Sequence, residues 1–398
     1  MPTNLPAEAR AKWLKYLEAR TPEEKLAALQ EFFSAIPKHK GTENLRAWVR
    51  RKISELKEEL EERRLRRSGS GISFFIEKEG AAQVIMLGMT QVGKSSLLRR
   101  LTNAKPEVSD VPYTTKKPVP GMMRYEDIYF QVVESPALVE GSANGAIWWG
   151  TRVLGLARNA DVIMLVIDLT SEPLRQAEVL VKELETAGIC LKKPRGRVLV
   201  RKSKAIHSIK IVLCGKLLNC TVDDVRRLLE AGRMYGVEVK IYGEVTLEDV
   251  EKAIYETVTY KPCLIVLNKA DSVSNKFAVE VADRIREKLL PDAEAVITSV
   301  KLGVGVNEIP KKIFKLTGIV RVYTKEPNSP KPSPEPLILK RGSTVEDAVR
   351  KIREEFIKYF KYARVWGPSA KYPGERVGLN HVLEDGDIIE IRTTVKGI

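Results

Sequence analysis

The nine residues GMTQVGKSS, at positions 88 to 96, restrict the possible folds more than any other part of this chain. Gly88, Gly93, Lys94 and Ser95 match the pattern G-x-x-x-x-G-K-[ST] of phosphate-binding loops. The apolar run QVIML precedes the motif and the helix-forming run SSLLRRLT follows it, which is the context that the motif requires. A tight turn without a ligand is the alternative, but the match in this context predicts an α/β fold with a phosphate site.

The chemistry of such a loop gives its residues distinct roles. Backbone N–H groups of the loop and of the helix start point at phosphates, and glycine permits a close approach. The Lys94 ammonium would neutralise charge on the β- and γ-phosphates, and the Ser95 hydroxyl would ligate Mg²⁺. The predicted phosphate-binding residues are Gly88, Gln91, Val92, Gly93, Lys94, Ser95 and Ser96.

A second motif, LNKAD, ends an apolar strand about 175 residues further along the chain. The Asp271 carboxylate can accept two hydrogen bonds from the ring N–H and the exocyclic amine of guanine, whereas adenine has no such pair of donors. N-K-x-D alone is a weak pattern, but after a phosphate-binding loop it selects guanine. The predicted guanine-binding residues are Asn268, Lys269 and Asp271, with Ser299, Val300 and Lys301 from TSVKLG.

The loop DVPYTTKKPVPG lies between these two motifs and holds Thr114 and Thr115. A loop hydroxyl that reaches Mg²⁺ only when the γ-phosphate is present would sense which nucleotide is bound. Two threonines in a loop more commonly just face solvent. Their position after the phosphate-binding loop favours the switch role, with Thr115 as a second metal ligand.

The apolar runs QVIML, DVIMLVIDL and CLIVLN alternate with helical stretches, which is typical of a mostly parallel α/β sheet with crossover helices. The segment RTPEEKLAALQEFF carries a capping box of Thr21 and Glu24 and indicates an N-terminal helix. The predicted regions are a helical region at 1–70, a nucleotide-binding domain at 80–175 and 261–316, an inserted small α/β domain at 176–260, and a β-grasp module at 318–396.

Two details of the β-grasp module are predicted as well. Its helix is expected to be capped by Ser343, with Glu346 in reach. Its aromatic residues Tyr359, Tyr362 and Trp366 are assigned to the hydrophobic core, and stacking on nucleic-acid bases is the alternative role.

The charge balance of the chain is +15, which favours an anionic partner such as RNA, a ribosome or a membrane surface. No stretch reaches about 18 uncharged apolar residues, so no membrane span is expected. The start of the chain has no apolar core of the signal-peptide type. Four widely spaced cysteines predict reduced, mostly buried thiols in a cytoplasmic protein.

Together these parts resemble the developmentally regulated GTP-binding proteins of the Obg superfamily, in an archaeal-type form. The resemblance rests on YTTKKPVPG, on RVGLNHVLEDGDIIEI and FKYARVWG, and on the order of the parts from about residue 40 to 396. It implies a P-loop GTPase domain, a ribosomal-protein-like insertion and a C-terminal TGS domain. It also implies a slow GTPase linked to translation, with GTP or GDP, Mg²⁺ and often K⁺ as ligands.

The chain departs from this family at Glu134-Ser135-Pro136-Ala137, where members usually have Asp-x-Pro-Gly. Glu134 keeps the charge that orients a Mg²⁺-bound water, but with altered geometry. Ala137 keeps the N–H for the γ-phosphate and loses the freedom of glycine to adopt positive φ. Gln91 replaces the usual Ser or Asn, which makes K⁺ stimulation doubtful. The predicted catalytic residues are Lys94, Thr115 and Glu134, with weak hydrolysis; neutral drift of the motif is the alternative.

The run LKKPRGRVLVRKSK contains seven basic residues and no acidic one, and it is the main candidate for contact with rRNA. A solvated charged face is the alternative reading. The expected function is therefore a cytoplasmic, monomeric GTP-binding switch on the ribosome, with a possible protein partner for the TGS domain. The rival hypothesis is a catalytically impaired GTP-binding scaffold.

Overall fold

The computed structural model describes residues 6–19, 21–37, 42–68, 74, 76–105, 117–202, 208–232, 234–254, 258–326 and 331–394. The helices are α1 Ala7–Glu18, α2 Pro22–Ala35, α3 Glu43–Ser68, α4 Lys94–Leu101, α5 Gly150–Asn159, α6 Pro173–Thr186, α7 Val222–Ala231, α8 Leu247–Ile254, α9 Asn275–Lys288, α10 Glu308–Thr317 and α11 Val345–Ile352. The strands are β1 Gln83–Leu87, β2 Val119–Tyr125, β3 Ile128–Glu134, β4 Val162–Asp168, β5 Ile189–Cys190, β6 Gly196–Lys202, β7 Lys210–Leu218, β8 Val237–Thr246, β9 Thr259–Tyr260, β10 Cys263–Asn268, β11 Glu294–Ile297, β12 Ile319–Thr324, β13 Leu337–Lys340, β14 Phe360–Trp366, β15 Glu375–Val377 and β16 Asp387–Thr393.

The chain divides into two compact units. One unit contains residues 76–138, 159–180 and 262–398, and it holds the six-stranded sheet and the β-grasp module. The other contains residues 1–75, 139–158 and 181–261. The predicted α/β fold class is confirmed.

The six-stranded sheet has the order β11-β10-β4-β1-β3-β2, and only the β2–β3 pair is antiparallel. Every residue of β1, β4 and β10 is buried, because helices cover both faces of a parallel sheet, and this explains their continuous apolar sequences. The register pairs Met86 with Glu134 and Asp168 with Asn268. Polar side chains are thus gathered at the carboxyl edge of the sheet, where ligands bind in folds of this type.

The β-grasp module has a five-stranded sheet of order β13-β12-β16-β14-β15, and α11 packs on one face of it. The helix is capped by Thr344 with Asp347 in a capping box, so the prediction of Ser343 and Glu346 was wrong by one residue. Both pairs of positions carry the right residue types, and only the backbone conformation decides between them.

The assignment of the module's aromatic residues to its core was also wrong. The core side of β14 is formed by Ala363 and Val365, which are fully buried against α11. Tyr362 and Trp366 alternate with them and therefore lie on the opposite face, while Tyr359 is exposed before the strand begins. Sequence composition could not reveal this, because an aromatic residue fits either face of a strand.

The β-grasp module and the six-stranded sheet meet at the β2–β3 hairpin. The Arg321 guanidinium contacts three carboxylates there: Glu126, Asp127 at 2.9 Å and Asp385 at 2.8 Å. The Tyr323 hydroxyl donates to Asp127. These hydrogen bonds lower the pKa of Asp127 and Asp385 against the opposing effect of burial, and they raise the pKa of Arg321.

We predict that Arg321→Ala weakens this contact, because it leaves three neighbouring carboxylates without their shared cation. Partial solvent access limits the loss in the free energy of unfolding to about 2 kcal/mol. Thermal unfolding at pH 7 measures it. Since the two aspartate pKa values are lowered in the folded state, their stabilisation is present above pH 4 and is lost as the pH falls through their folded pKa values.

Arg350→Ala is the matched control for this experiment. Arg350 forms an exposed pair with Glu346 on α11, so its removal should cost no more than about 0.5 kcal/mol. Equal melting temperatures for the two variants would contradict the assigned role of Arg321.

In the other unit, α1 to α3 pack around an apolar cluster that includes Leu29, Phe32 and Leu45. The predicted capping box of Thr21 and Glu24 is present at the start of α2. None of the helices that the structure describes combines the length and the apolar character needed to cross a bilayer.

The insertion contains the sheet β6-β8-β7, with α7 and α8 packed on one face. In β8, the buried residues Val237, Val239 and Ile241 alternate with less buried ones, and no helix that the structure describes in the insertion packs on the second face of this sheet, which we call its open face. The thiols were predicted to be mostly buried, and this is wrong: of the four cysteines only Cys263 is buried, whereas Cys214 is exposed on the insertion.

Candidate nucleotide-binding site

The loop between β1 and α4 has the backbone conformation that a phosphate cradle needs. Gly93 has φ of 89° and precedes the first residue of α4, and Gln91 also has a positive φ of 60°. A Cβ on Gly93 would lie 2.4 Å from Nδ2 of Asn268, and one on Gly88 would lie 2.6 Å from the Val166 carbonyl oxygen. Close packing therefore requires glycine at both positions, and at Gly93 the positive φ requires it as well.

Lys94 is the buried cation of this loop. Its Nζ donates hydrogen bonds to the carbonyl oxygens of Gly88, at 3.1 Å, and Met89, at 2.7 Å. Burial lowers the pKa of the Lys94 ammonium to about 8, and the nearby Glu134 carboxylate only partly opposes this effect. A buried cation with a destabilised charge fits a site that receives an anionic phosphate group.

We predict that nucleotide binding takes up a proton at pH 8. A bound phosphate raises the pKa of Lys94, so the ammonium, half deprotonated at pH 8 in the free protein, becomes fully charged in the complex. Affinity for GDP should then be constant below about pH 7 and fall up to tenfold per pH unit above pH 8. Calorimetry in two buffers of different ionisation heat measures the uptake. Lys94→Arg is the control, since a guanidinium stays charged; the same uptake by both proteins would refute the assignment.

The Glu134 carboxylate lies beside the start of α4. It ends β3 and is almost fully buried, and its Oε1 accepts a hydrogen bond from the Ser95 hydroxyl. Among the described residues there is no cluster of three His, Cys, Asp or Glu side chains that could hold a metal ion. Two oxygen ligands next to a phosphate cradle fit Mg²⁺, which is commonly bound by one or two protein groups together with phosphate and water.

The residues after Glu134 are anchored against β1 and the loop. The Ser135 hydroxyl donates to the Met86 carbonyl oxygen at 2.7 Å, and the Leu138 N–H donates to the Gly88 carbonyl oxygen at 3.2 Å. Ala137 is buried and does not have positive φ. Alanine is therefore compatible with this conformation of the segment. The loss of glycine would matter only in a second conformation in which residue 137 has a positive φ.

The predicted guanine-binding residues come from two loops at the same edge of the sheet. Nδ2 of Asn268 donates to the Val92 carbonyl oxygen at 2.9 Å, which ties the LNKAD motif to the phosphate loop, while its buried Oδ1 has no partner among the described residues. The Ser299 hydroxyl donates to Oδ1 of Asp271 at 2.6 Å and lowers the pKa of that carboxyl. Asp271 is thus oriented, ionised and exposed, ready to accept hydrogen bonds from a base.

Asp168 belongs to this site although the sequence did not single it out. Its Oδ2 lies 2.5 Å from Nζ of Lys269, and its Oδ1 accepts hydrogen bonds from Thr170. Lys269 has φ of 63°, and this ion pair fixes the direction of its long side chain. The available signal was the position of Asp168 at the end of an apolar strand, where the carboxyl ends of parallel strands gather.

The structure brings most of the predicted site residues together. Val300 packs against the apolar core of the sheet, and the exposed Lys301 adds positive charge near Asp271. Thr114 and Thr115 lie outside the described residues. The residues that the structure places at the carboxyl edge of the sheet are Gly88, Gln91, Val92, Gly93, Lys94, Ser95, Ser96, Glu134, Ala137, Asn268, Lys269, Asp271, Ser299, Val300 and Lys301.

In the other unit, a buried carboxylate that the sequence analysis did not identify holds a loop in place. The buried Glu183 carboxylate accepts hydrogen bonds from the backbone N–H groups of Gly141 and Ala143, both at 2.7 Å. The loop that follows the Glu134 segment in sequence is thus fixed by an acidic side chain of α6.

Comparisons with known proteins identify the family. A family described as 50S ribosome-binding GTPase matches residues 83–202, the C-terminal region of that domain matches residues 207–318, and the TGS domain matches residues 320–393. A GTP-binding protein of Methanocaldococcus jannaschii is 33% identical over 370 residues, which cover 93% of this chain and 92% of the relative. Human developmentally-regulated GTP-binding protein 2 is 29% identical over 368 residues, covering 92% and 98%. This chain belongs to the developmentally regulated GTP-binding protein family.

It is therefore a GTP-binding protein with a P-loop GTPase domain and a C-terminal TGS domain, as the sequence resemblance implied. Among solved structures, Era of Aquifex aeolicus bound to GDP and AlF₄⁻ has a TM-score of 0.35, with 20% identity over 73% of this chain and 72% of Era. NFeoB of S. thermophilus bound to GMPPNP has a TM-score of 0.34, with 16% identity over 59% and 62%.

Proposed function

We propose that this protein is a slow GTP hydrolase that acts as a switch on ribosomal RNA in the cytoplasm. The observation that carries the proposal is the joining of the phosphate loop and the oriented Asp271 in one site through the Asn268–Val92 hydrogen bond. Phosphate and guanine are then recognised together, and the Glu134 segment lies against the same loop.

The roles of the site residues follow from chemistry. Lys94 would balance the β- and γ-phosphate charge, and Ser95 and Glu134 would hold Mg²⁺, with Thr115 as the residue that senses the γ-phosphate. Mg²⁺, when bound, would neutralise part of the phosphate charge. Water would attack the γ-phosphorus in line as the bond from that phosphorus to the β–γ bridging oxygen breaks, so that GDP leaves and the proton of the water ends on the released phosphate. The Lys94 ammonium would stabilise the charge that develops in this step.

The open face of the insertion sheet supports a role in RNA binding. Alternation along β6, β7 and β8 puts Arg197, Arg201, Lys210, Lys216 and Lys240 on this face, opposite to the helices. The acidic residues on the same face are Glu238 and Glu244, so the face is net positive, and the family model that matches residues 83–202 is described as ribosome-binding. Cations on an open sheet bind phosphate backbones without reading sequence.

Ribosome co-sedimentation tests this proposal. The wild-type protein would be pelleted with purified ribosomes in the presence of a GTP analogue, GDP or no nucleotide, at 50 and 200 mM salt. We expect nucleotide-dependent and salt-sensitive binding, and a loss of at least tenfold in Arg197→Glu/Arg201→Glu. Arg226→Glu/Arg227→Glu changes the same charge on α7 and should bind within twofold of wild type. Equal losses, or no binding in any nucleotide state, would disprove the proposal.

One observation favours the rival function of a GTP-binding scaffold with little catalysis. The carboxylate that replaces the usual aspartate contacts Ser95 directly, so Glu134 stands close to where the metal ion would be held. Phosphate release in a single turnover, with and without ribosomes, separates the two functions. A rate equal to that of Lys94→Ala under both conditions would establish the scaffold.

A further inference from the structure

A cavity of about 490 Å³ lies in the unit that contains the N-terminal helices. Its walls come from α3, from the stretch between residues 143 and 158 that includes α5, and from the end of α6 with β5. None of the residues that the structure places at the guanine nucleotide site lines it. Small-molecule sites usually have volumes of about 300–1,000 Å³, so this cavity is large enough for a ligand. We refer to it as the α3–α5 cavity.

Part of the wall of the α3–α5 cavity is apolar. Leu154 of α5 and Ile189 of β5 are almost completely buried, whereas Ala47 of α3 and Val258 are exposed and mark the opening. Gly155 lines the cavity as well and contributes no side chain that would fill it. An uncharged ligand group can therefore be removed from water against this wall, which favours binding.

The α3–α5 cavity is also rich in positive charge. Among the lining residues that the structure describes, one carboxylate, Glu185, stands against four cations, which are Arg50, Arg51, Arg158 and Lys252. Lys252 forms an ion pair with Glu248 at 2.7 Å, so the excess of charge comes from the three guanidinium groups. Like charges that are gathered around a concave site focus a positive potential into it, and an anionic ligand would relieve their repulsion.

Arg158 is held in position by the protein itself. Its Nη2 donates hydrogen bonds to the carbonyl oxygens of Ala187 and, at 3.2 Å, of Gly188, directly after α6 ends, and its Nη1 donates to Oγ1 of Thr259 at 3.1 Å. These contacts give Arg158 a structural role of its own beside its charge. Arg50 and Arg51 of α3 are therefore the cations with which a ligand would form its main contacts.

The two kinds of wall together select the ligand. Guanidinium groups bind phosphate through two parallel hydrogen bonds, whereas a hydrocarbon would leave this charge without a counterion. An inorganic anion, in turn, would leave the apolar wall in contact with water. The ligand that satisfies both parts has phosphate groups on an apolar or aromatic body.

We propose that the α3–α5 cavity binds an organic phosphate of about the size of a mononucleotide. Arg50 and Arg51 contact its phosphate groups, and its body packs against Leu154. This is a second ligand site, separate from the GTP site, and it goes beyond the proposed function. The ligand also contacts Ala143, whose N–H donates to Glu183, so it connects α3 with the loop that Glu183 holds.

Isothermal titration calorimetry with ADP tests this proposal in the full-length protein, saturated with GDP and Mg²⁺ so that the guanine site is occupied. We expect a single ADP to bind per chain. Adenosine, which has no phosphate, and pyrophosphate, which has no base, should each bind about tenfold more weakly or worse, because each lacks one of the two kinds of contact. Equal affinities for pyrophosphate and ADP would reduce the site to an adventitious ion only and overturn the proposal.

Two variants test the residues. Arg50→Gln/Arg51→Gln should weaken ADP binding about tenfold or more, because the phosphate groups lose charge-assisted hydrogen bonds. Ala47→Trp should weaken it by a similar factor of about ten without any change of charge, since an indole ring at this exposed helical position would occupy the cavity. Ala47→Trp also keeps the test valid if the arginine variant does not fold. Undiminished ADP binding in a folded variant of either kind would contradict the proposal.

Arg226→Gln/Arg227→Gln on α7 is the matched control. Both arginines are exposed, belong to the same unit and are not among the lining residues of the cavity. This variant should bind ADP as wild type does, and a loss equal to that of Arg50→Gln/Arg51→Gln would show that net charge alone is responsible.

Hydrogen exchange locates the bound ADP. Slower exchange in α3 and in residues 143–158 would support the α3–α5 cavity as the site. Protection confined to residues 88–96 would place ADP in the GTP site and overturn the proposal, as would the absence of ADP binding. If the protein binds ADP in the cavity but does not co-sediment with ribosomes, the proposed function fails and this inference stands.

Discussion

Asp271→Asn is expected to lower the affinity for GTP about 100-fold. The carboxylate loses its charge and presents an N–H donor to the donors of guanine, and hydrogen bonds to charged groups are worth about 1.5–3 kcal/mol each. Affinity for xanthosine triphosphate should rise in the same variant, because the amide of asparagine can donate to the oxygen that replaces the amine of guanine.

Two further variants make this test sharper. Ser299→Ala removes the 2.6 Å hydrogen bond that orients Asp271 and should cost roughly tenfold in GTP affinity. Asp283→Asn changes an exposed aspartate on α9 that pairs with Arg286, and it should bind GTP as wild type does. Competition binding with GTP, ATP and xanthosine triphosphate measures the nucleotide affinities of all three variants. Undiminished GTP affinity in Asp271→Asn would show that this carboxylate does not select the base.

The second large effect is expected at Glu134. Glu134→Ala should lower the single-turnover rate of phosphate release by about 10²-fold or more, since one positioned charged group at the proposed Mg²⁺ site is removed. Glu134→Asp/Ala137→Gly restores the usual family motif. It should raise the rate roughly tenfold, because the shorter carboxylate leaves room for a metal-bound water and glycine frees the backbone.

The control for this series lies in the following loop. Glu140→Ala removes an exposed carboxylate that forms a 3.7 Å ion pair with Lys182, and it should leave the rate unchanged. Binding of GDP in the absence of Mg²⁺ should be within threefold of wild type in all variants, so that rate changes report the chemistry. If neither Glu134 variant changes the rate of phosphate release, the Glu134-Ser135-Pro136-Ala137 motif does not influence hydrolysis, and its divergence from the family is neutral.

Strand β3 connects the Glu134 segment with the contact that the TGS domain makes. Glu134 ends β3, and the same strand begins at the hairpin that contacts Arg321 and Tyr323 of the TGS domain. We therefore predict that a change in the Glu134 segment is transmitted to the TGS domain along this strand. Comparison of the Arg321→Ala variant in its GTP-bound and GDP-bound forms would measure this coupling as a difference in melting temperature.

The sequence by itself determined the parts of this protein that depend on local geometry. A phosphate-binding loop needs glycine at fixed spacing, a lysine and a hydroxyl, so Gly88, Gly93, Lys94 and Ser95 could be assigned without a fold. Fully buried strands need continuous apolar runs, so β1, β4 and β10 were visible as well.

Only the tertiary structure decided the features that depend on which side chains meet across the chain. Asp168 reaches Lys269, and Arg321 gathers carboxylates from two domains, through contacts between residues about 100 and 195 positions apart. Tyr362 and Trp366 lie outside the TGS core because strand register, which depends on pairing partners, sets the face of each residue. The local sequence pattern determines which secondary structure a segment forms, and long-range packing determines which residues its side chains contact.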